Sequence, residues 1–232
     1  MSGSEPDLPV CTLCGAEVGS QWLIGVLGDV YCVSHESLPT CRGCGAPADP
    51  DQYCAACSAT RVLDQARVRA VLPAIRGGLH DLGIRLAKPV QVELVSPGVM
   101  EDIAQPWDKA TGSTTSGLTI SSGDQVLRLT IVSGLPLMWF GAVVAHEAMH
   151  AWMTQRRFPE NLALPLSEGL CQLTAFSWLR RQTDPRAPLI RNTMETDPDP
   201  HYGVGFRMVR DAVARHGLKP VLATLRGHGQ LP

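Results

Sequence analysis

The chain has 232 residues, of which 44% are hydrophobic, and carries a formal net charge of −2 at neutral pH. This length and apolar content suffice for one small module and one domain with its own core. The near-zero charge argues against a polyanion or a membrane surface as partner, and no apolar run is long enough to span a membrane. Because the amino terminus lacks the charged start and apolar core of a secretory signal, we expect a cytoplasmic protein.

Seven of the eight cysteines lie between residues 11 and 57 and, together with His35, form four pairs with the spacing of metal ligands. Taken in order, the pairs predict two tetrahedral zinc sites, although spacing alone leaves interleaved pairing open. The first site would use Cys11, Cys14, Cys32 and His35, and the second would use Cys41, Cys44, Cys54 and Cys57. Both sites lack an open position for water, so both zinc ions should be structural and should supply folding energy. Disulfides are the alternative, which a reducing cytoplasm disfavours.

The charge of this module bears on its partners. Residues 1–60 contain one basic residue, Arg42, and seven acidic residues, which leaves a formal charge of −6. Phosphate binding requires Lys and Arg. We therefore expect no nucleic-acid partner, and we expect the module to pack against or contact protein.

The segment after the cysteines changes its periodicity twice. Residues 58–84 predict a helical linker, because apolar side chains recur every three or four positions. Alternation over residues 90–94 predicts a strand, and residues 97–117 have the composition of a loop. Residues 118–121 and 125–132 predict two more strands joined by a tight turn. The last of these strands is our candidate for a sheet edge that a peptide substrate could extend.

Residues 146–150 read His-Glu-Ala-Met-His, an HExxH motif inside an apolar stretch. On a helix, His146 and His150 project from the same face and could hold one catalytic Zn²⁺. Glu147 beside them would act on a water at the metal. The alternative is a pair of ordinary core histidines.

Glu168 is the predicted third ligand, because it follows His150 by eighteen residues and precedes a glycine at the start of a new helix. Gluzincin peptidases place a carboxylate ligand in this position. Without the motif, Glu168 would be interpreted as a carboxylate favoured by a helix amino terminus. With it, two imidazoles, one carboxylate and a water make the open site of a catalytic zinc. Cys171 in the same helix is expected to be a small buried hydrophobe.

The carboxy-terminal part is predicted to contain a helix to about residue 181, a loop over residues 183–200 and a final pair of helices. A peptidase needs a donor for the oxyanion besides its metal. Tyr202 is the first candidate for this role and His201 is the second. The other interpretation of Tyr202 is a core aromatic residue beside a glycine turn.

Three strings of sequence together resemble the DA-one peptidases, which are LIM-containing, gluzincin-like zinc proteases known from plant organ-size control. The strings are residues 145–152 around HExxH, residues 168–172 (Glu-Gly-Leu-Cys-Gln) and residues 202–207 (Tyr-Gly-Val-Gly-Phe-Arg). The zinc module departs from a standard LIM domain, since Cys precedes His in its second pair, and we describe it as LIM-like. We expect no ubiquitin-interacting helix before the module, so the chain looks like a short member of the family. The resemblance therefore does not imply activation by ubiquitin.

These observations predict an α+β protein in four parts. They are an amino-terminal tail (1–10), a LIM-like double zinc module (11–57), a helical linker (58–84) and a zincin-like peptidase domain with a small antiparallel or mixed sheet (85–232). The resemblance and the motif imply a zinc-dependent endopeptidase with one catalytic and two structural zinc ions, acting on protein or peptide substrates. Two alternatives stay open: a zinc-scaffolded adaptor with a silent peptidase domain, and a small-molecule metallohydrolase using the same site.

Overall fold

The computed structural model describes residues 8–48, 53–111 and 115–232, with the backbone alone for residues 107–111. Most of the predicted amino-terminal tail (1–10) lies outside these residues. The elements are β1 (Trp22–Ile24), β2 (Val30–Cys32), a 3₁₀ turn (Val33–His35), α1 (Ala55–Ser58), α2 (Gln65–Asp81), β3 (Gln91–Val95), α3 (Pro97–Thr111), β4 (Gly117–Ser122), β5 (Gln125–Val132), α4 (Leu137–Gln155), α5 (Leu164–Leu179), α6 (Arg186–Thr196), α7 (Gly203–His216) and α8 (Leu218–His228). The predicted α+β class is confirmed. Within the described ranges, no helix combines the length and apolarity needed to cross a membrane.

The cysteine-rich module contains the same type of turn twice, once after Cys11 and once after Cys41. Gly15 and Gly45 each follow the second cysteine of a pair, and their φ angles are 72° and 74°. The N–H of Gly15 donates to the carbonyl of Cys11 at 2.9 Å, and the N–H of Gly45 donates to that of Cys41 at 2.7 Å. Side chains with a Cβ are disfavoured at such angles, so glycine lets each pair of sulfur atoms converge.

The larger domain contains a three-stranded sheet of order β3-β5-β4, in which β3 is parallel and β4 antiparallel to β5. The predicted small mixed sheet is therefore present. The expectation that β5 is the edge strand was wrong, because β5 is paired on both sides. Parallel pairing of β3 with β5 needs a crossover connection, which α3 and β4 provide, and it brings β5 to the centre. The strand with a free edge beside α4 is β4.

Two predicted loops contain helices. Residues 97–117 hold α3, whose side chains Met100 and Ala104 are buried one turn apart. Glycine and proline at the start of this segment resemble loop composition, but proline is well suited to the first helical position. Burial of one apolar stripe outweighs the low helix propensity of the rest.

The other predicted loop, residues 183–200, contains α6. Ala187 and Ile190 are completely buried on one side of this helix. Of the Asp and Pro residues that suggested a loop, Pro188 lies in the first turn of the helix and the others lie before its start or after its end. A single apolar stripe of two residues is too weak a periodicity to be recognised from sequence.

Helix α4 lies at the centre of the domain, against the sheet on one side and α5 on another. Its side chains are apolar nearly all round, and Phe140, Ala145 and Ala151 are fully buried. A helix of this kind depends on its packing rather than on an amphipathic face. A Cβ on Gly141 would overlap the ring of Trp178 from α5, so the two helices approach closely at this glycine.

Replacing Gly141 by Ala should destabilise the protein by about 1–3 kcal/mol, because the added methyl group meets the indole of Trp178. Gly77 in α2 is the matched control, since a Cβ there meets nothing within 4 Å. Gly77→Ala should stabilise by roughly 0.5–1 kcal/mol through its helix propensity. Denaturant unfolding at fixed zinc concentration measures both values. Equal effects of the two substitutions would contradict the described contact.

Candidate metal centre

The two histidines of the HExxH motif face α5 from the surface of α4. The Nε2 atoms of His146 and His150 are 3.2 Å apart. Glu168 of α5 places Oε2 3.1 Å from Nε2 of His146 and Oε1 3.4 Å from Nε2 of His150. The structure thus brings together the three residues that the sequence suggested as ligands of a catalytic metal.

These distances can be compared with the edges of a tetrahedral zinc site. In a tetrahedron the ligand–ligand distance is about 1.6 times the metal–ligand distance, so nitrogen and oxygen ligands at ~2.0–2.1 Å from zinc lie ~3.3–3.4 Å apart. The separations of 3.1–3.4 Å among the three side chains are close to that value. The donor set therefore fits zinc, with a fourth position left for water or substrate.

In the metal-free chain, the pKa shifts of Glu168 and His150 favour an ion pair between them. Burial raises the pKa of Glu168, but hydrogen bonds from His146 and His150 outweigh it and hold the pKa well below its usual range. Burial lowers the pKa of His150, whereas Cys171 and Glu168 raise it, and the result lies well above the ordinary value. A carboxylate that is only 1% exposed is thereby kept ionised and ready to bind a cation.

Cys171 is fully buried, as expected, but the sequence did not predict its position beside the two histidines. Its sulfur lies within 4.8 Å of ligand atoms of both His146 and His150, so these three residues form a group that could also hold a metal. Burial raises the pKa of the Cys171 thiol to about 12, which keeps it protonated at neutral pH. Because the Glu168 oxygens lie 3.1 and 3.4 Å from the two histidines and carry a charge, we regard Glu168 as the better third ligand.

Glu147 points toward β4 and is 5% exposed. The hydroxyl of Thr119 donates to Glu147 Oε2 at 2.8 Å and lies 3.0 Å from the Glu147 carbonyl oxygen. A Cβ on Gly117 would lie 2.9 Å from Glu147 Cγ and 2.6 Å from Val143 Cγ1. Because Gly117 has no side chain, it leaves the space that the Glu147 side chain occupies. Sequence analysis missed both β4 residues, because only the packing of β4 on α4 brings them to the motif.

Of the two oxyanion candidates, Tyr202 lies beside the histidines, with its ring centroid 6.0 Å from that of His146. The Nδ1 atom of His201 is buried and has no hydrogen-bond partner among the residues that the structure describes. The backbone N–H groups of His201 and Tyr202 both donate to Asp199, at 2.7 and 2.8 Å. The roles of Tyr202 and His201 in a reaction stay predictions.

Glycines in two of the motif strings hold α5 and α7 together. A Cβ on Gly169 would overlap the carbonyl group of Gly205, and a Cβ on Gly205 would overlap that of Pro165. The two helices therefore meet backbone to backbone. Because Glu168 precedes Gly169 directly and Tyr202 lies just before α7, this contact fixes both side chains relative to the histidines.

The cysteine-rich module contains two further groups that could hold metals. Cys14 and Cys32 have sulfur atoms 3.8 Å apart, and those of Cys44 and Cys54 are 3.6 Å apart. Sulfur ligands at ~2.3 Å from zinc lie ~3.8 Å apart, whereas a disulfide needs ~2.05 Å. All eight cysteines of the chain are free. The groups follow the sequential pairing: Cys11, Cys14, Cys32 and His35 in one, Cys41, Cys44, Cys54 and Cys57 in the other.

The fold and these sites define an α+β protein with a cysteine-rich module and an HExxH helix, and among the residues described three groups of side chains could hold metal ions. A family model described as DA1-like, Protein DA1, matches residues 81–189, the segment that carries the motif helix and Glu168. The predicted resemblance to the DA1 (DA-one) family is confirmed by this match and by relatives of the same name.

Several relatives support this resemblance. Protein DA1-related 7 of Arabidopsis thaliana is 25% identical over 84% of this chain and 48% of its own length. Protein DA1 of the same plant is 29% identical over 53% of this chain and 28% of its own length. LIM domain-containing protein HDR3 of Oryza sativa subsp. japonica is 20% identical over 88% of this chain and 57% of its own length. The chain thus spans about half or less of the first relatives, and no solved structure matches it.

Zinc binding at the HExxH group should release protons. The raised pKa of His150 favours the protonated imidazole in the metal-free chain, whereas only a neutral imidazole binds zinc. With the cysteine groups already loaded, calorimetry in buffers of different ionisation enthalpy should therefore show release of about one proton per zinc at pH 7. His150→Gln should remove this release. Zinc binding to the unaltered chain without proton release would contradict the described ion pair.

Proposed function

We propose that the chain is a zinc-dependent endopeptidase that hydrolyses peptide bonds of protein substrates. The observation that carries the proposal is the group of His146, His150 and Glu168, whose ligand atoms lie 3.1–3.4 Å apart with Glu147 on the adjoining helical position. Zinc, when bound, would supply a Lewis acid that polarises the scissile carbonyl and lowers the pKa of a water. The cysteine-rich module would hold two structural zinc ions and offer a surface for protein contact.

Glu147 would carry the proton in this reaction. Its Oε2 is held by the Thr119 hydroxyl, which leaves Oε1 to accept a proton from the attacking water. The same carboxyl group would then deliver that proton to the nitrogen of the leaving amine. Proton transfer by a positioned side chain contributes about 10²–10⁴-fold to a rate.

Tyr202 is the residue that we assign to the oxyanion. Its ring lies 6.0 Å from the ring of His146, so the phenol is on the histidine side of the group. A phenolic O–H can donate to the negative charge that develops on the carbonyl oxygen.

The substrate would bind along β4 rather than β5. Because β4 is paired on one side only and contacts Glu147 through Thr119, an extended peptide added to its free edge would pass in front of the metal ligands. A cavity of about 650 Å³ beside His150 adjoins the end of this strand. Its polar lining, which includes Ser121, Asp124 and Arg157, would receive a polar substrate side chain.

Zinc stoichiometry tests the metal part of the proposal and separates it from the adaptor alternative. Elemental analysis of the purified chain should give three zinc ions, and His146→Ala should lower the number to two. The matched control is His80→Ala, which alters a histidine of α2 outside the three groups and should retain three. Two zinc ions in the unaltered chain and in His146→Ala would mean that the HExxH group is empty, and the adaptor would then be favoured.

Glu147→Gln tests the chemistry. Cleavage of a labelled, unfolded casein should fall by roughly 10²–10⁴-fold, because the amide cannot take the proton, while three zinc ions are retained. Glu101→Gln is the control, since Glu101 is an exposed residue of α3 that is not part of the lining of the cavity beside His150, and its activity should stay within a few-fold of the wild type. Unchanged cleavage in Glu147→Gln would contradict the mechanism.

Tyr202→Phe separates the two oxyanion candidates. Loss of the hydroxyl should lower kcat by about 10²–10³-fold with little change in KM, because the interaction forms only in the transition state. His201→Gln should change kcat by less than the Tyr202 variant. The opposite order, measured on the same casein substrate, would transfer the role to His201.

A further inference from the structure

The second cysteine group lies directly against the start of the HExxH helix. Trp139, in the first turn of α4, donates its indole N–H to the carbonyl of Gly43 at 3.3 Å. A Cβ on Gly43 would lie 2.7 Å from Cys57 Sγ and 3.3 Å from Cγ of Pro136, the residue that precedes α4. The turn that joins two of the candidate zinc ligands is thus in contact with both the ligand sulfur and the beginning of the motif helix.

The backbone that leaves the second cysteine group is also tied to the segment that enters α4. The N–H of Val62 donates to the carbonyl of Leu135 at 2.9 Å, and the N–H of Gly134 donates to the carbonyl of Val62 at 2.8 Å. Nε of Arg61 donates to the carbonyl of Gly134 at 2.8 Å. These bonds leave the first turn of α4 little freedom to move relative to the cysteine group.

A buried cation reaches the same group from α6. The Arg186 side chain is 9% exposed, and its Nη1 forms a 2.8 Å ion pair with Asp184. Its Nη2 donates to the carbonyl of Ala56, next to Cys57, at 3.2 Å. Its Nε is buried and has no hydrogen-bond acceptor in the part of the chain that the structure describes.

A metal held by the four cysteines would place negative charge beside this cation, in addition to the carboxylate of Asp184. A buried guanidinium is costly unless opposite charge lies close to it. Four thiolates around Zn²⁺ carry a net charge of about −2, which a nearby arginine offsets.

We propose that Arg186 is a positioning residue for a zinc centre formed by Cys41, Cys44, Cys54 and Cys57, and that through this centre it fixes the start of α4. The guanidinium binds the module to α6 and offsets the thiolate charge at Cys57, while Gly43 and Trp139 transmit the position of the centre to the helix. This inference rests on the proposed zinc binding of the second cysteine group. It does not depend on peptide hydrolysis.

The experiment compares zinc-loaded protein with three variants. Arg186→Met removes the charge and keeps most of the aliphatic stem, and Arg186→Lys keeps the charge without the planar fork. The control is Arg181→Met, because the Arg181 guanidinium is 47% exposed and lies 4.0 Å from its partner Asp81. Zinc release to excess 4-(2-pyridylazo)resorcinol gives a rate for each equivalent. Hydrogen exchange over residues 137–145 reports the first turns of α4.

In Arg186→Met one zinc equivalent should leave about 10–100-fold faster, the size expected when a group that supports a ligand is lost. Exchange over residues 137–145 should rise in the same variant, and Arg186→Lys should be intermediate in both measurements. With Co²⁺ in place of zinc, the thiolate charge-transfer band should shift in Arg186→Met and stay unchanged in Arg181→Met. Rates, exchange and band equal to those of Arg181→Met would overturn the proposal.

Trp139→Phe provides a second route to the same question. It removes the indole donor to Gly43 without touching the charge, so exchange over residues 137–145 should rise while zinc release changes less than in Arg186→Met. An unchanged exchange pattern would overturn the link to α4. Because neither readout uses proteolysis, an inactive peptidase site would leave this inference standing, and its failure would leave the peptidase proposal intact.

Discussion

The arrangement of the larger domain depends on keeping one buried carboxylate ionised. Glu168 is 1% exposed, and burying an isolated carboxylate is so costly that it would normally become protonated. Two imidazole nitrogens at 3.1 and 3.4 Å prevent this outcome. In the metal-free chain their hydrogen bonds hold the carboxylate ionised, and with zinc bound the metal itself would do so. The same three side chains therefore stabilise the fold without metal and are preorganised to bind it.

Close approach of backbones is the second requirement of this site, and glycine meets it at both sides of the motif helix. Gly117 lets β4 pass beside Glu147, and Gly169 and Gly205 let α5 and α7 cross without side chains between them. Each contact sets the distance of one functional group from α4. A methyl group at any of these positions would displace an element that carries Glu168, Tyr202 or Thr119, although none of the glycines has chemistry of its own.

The sequence was most informative where chemistry requires a fixed local spacing. HExxH places His146 and His150 on one face of any helix, and paired cysteines predict converging sulfur atoms, so these groups were found without knowledge of the fold. The roles of Thr119 and the position of Cys171 beside His150 could not be predicted, because both arise from packing between elements distant in sequence. The edge strand was assigned wrongly for the same reason, since strand order depends on pairing across the sheet and not on adjacency to the motif.

Helix α4 is constrained at its start by the second cysteine group and in its second half by Glu168, which are contributed by different parts of the chain. The ten residues from Pro136 to His146 span about 15 Å of helix, over which a small tilt at the first turn becomes a displacement at the histidines. A catalytic site tolerates little such displacement, since an error of about 1 Å in a reacting group can lower a rate ~10²-fold. A cysteine-rich module docked on the first turn is therefore more than an independent contact unit. Its metal content and the geometry of the HExxH group are expected to vary together.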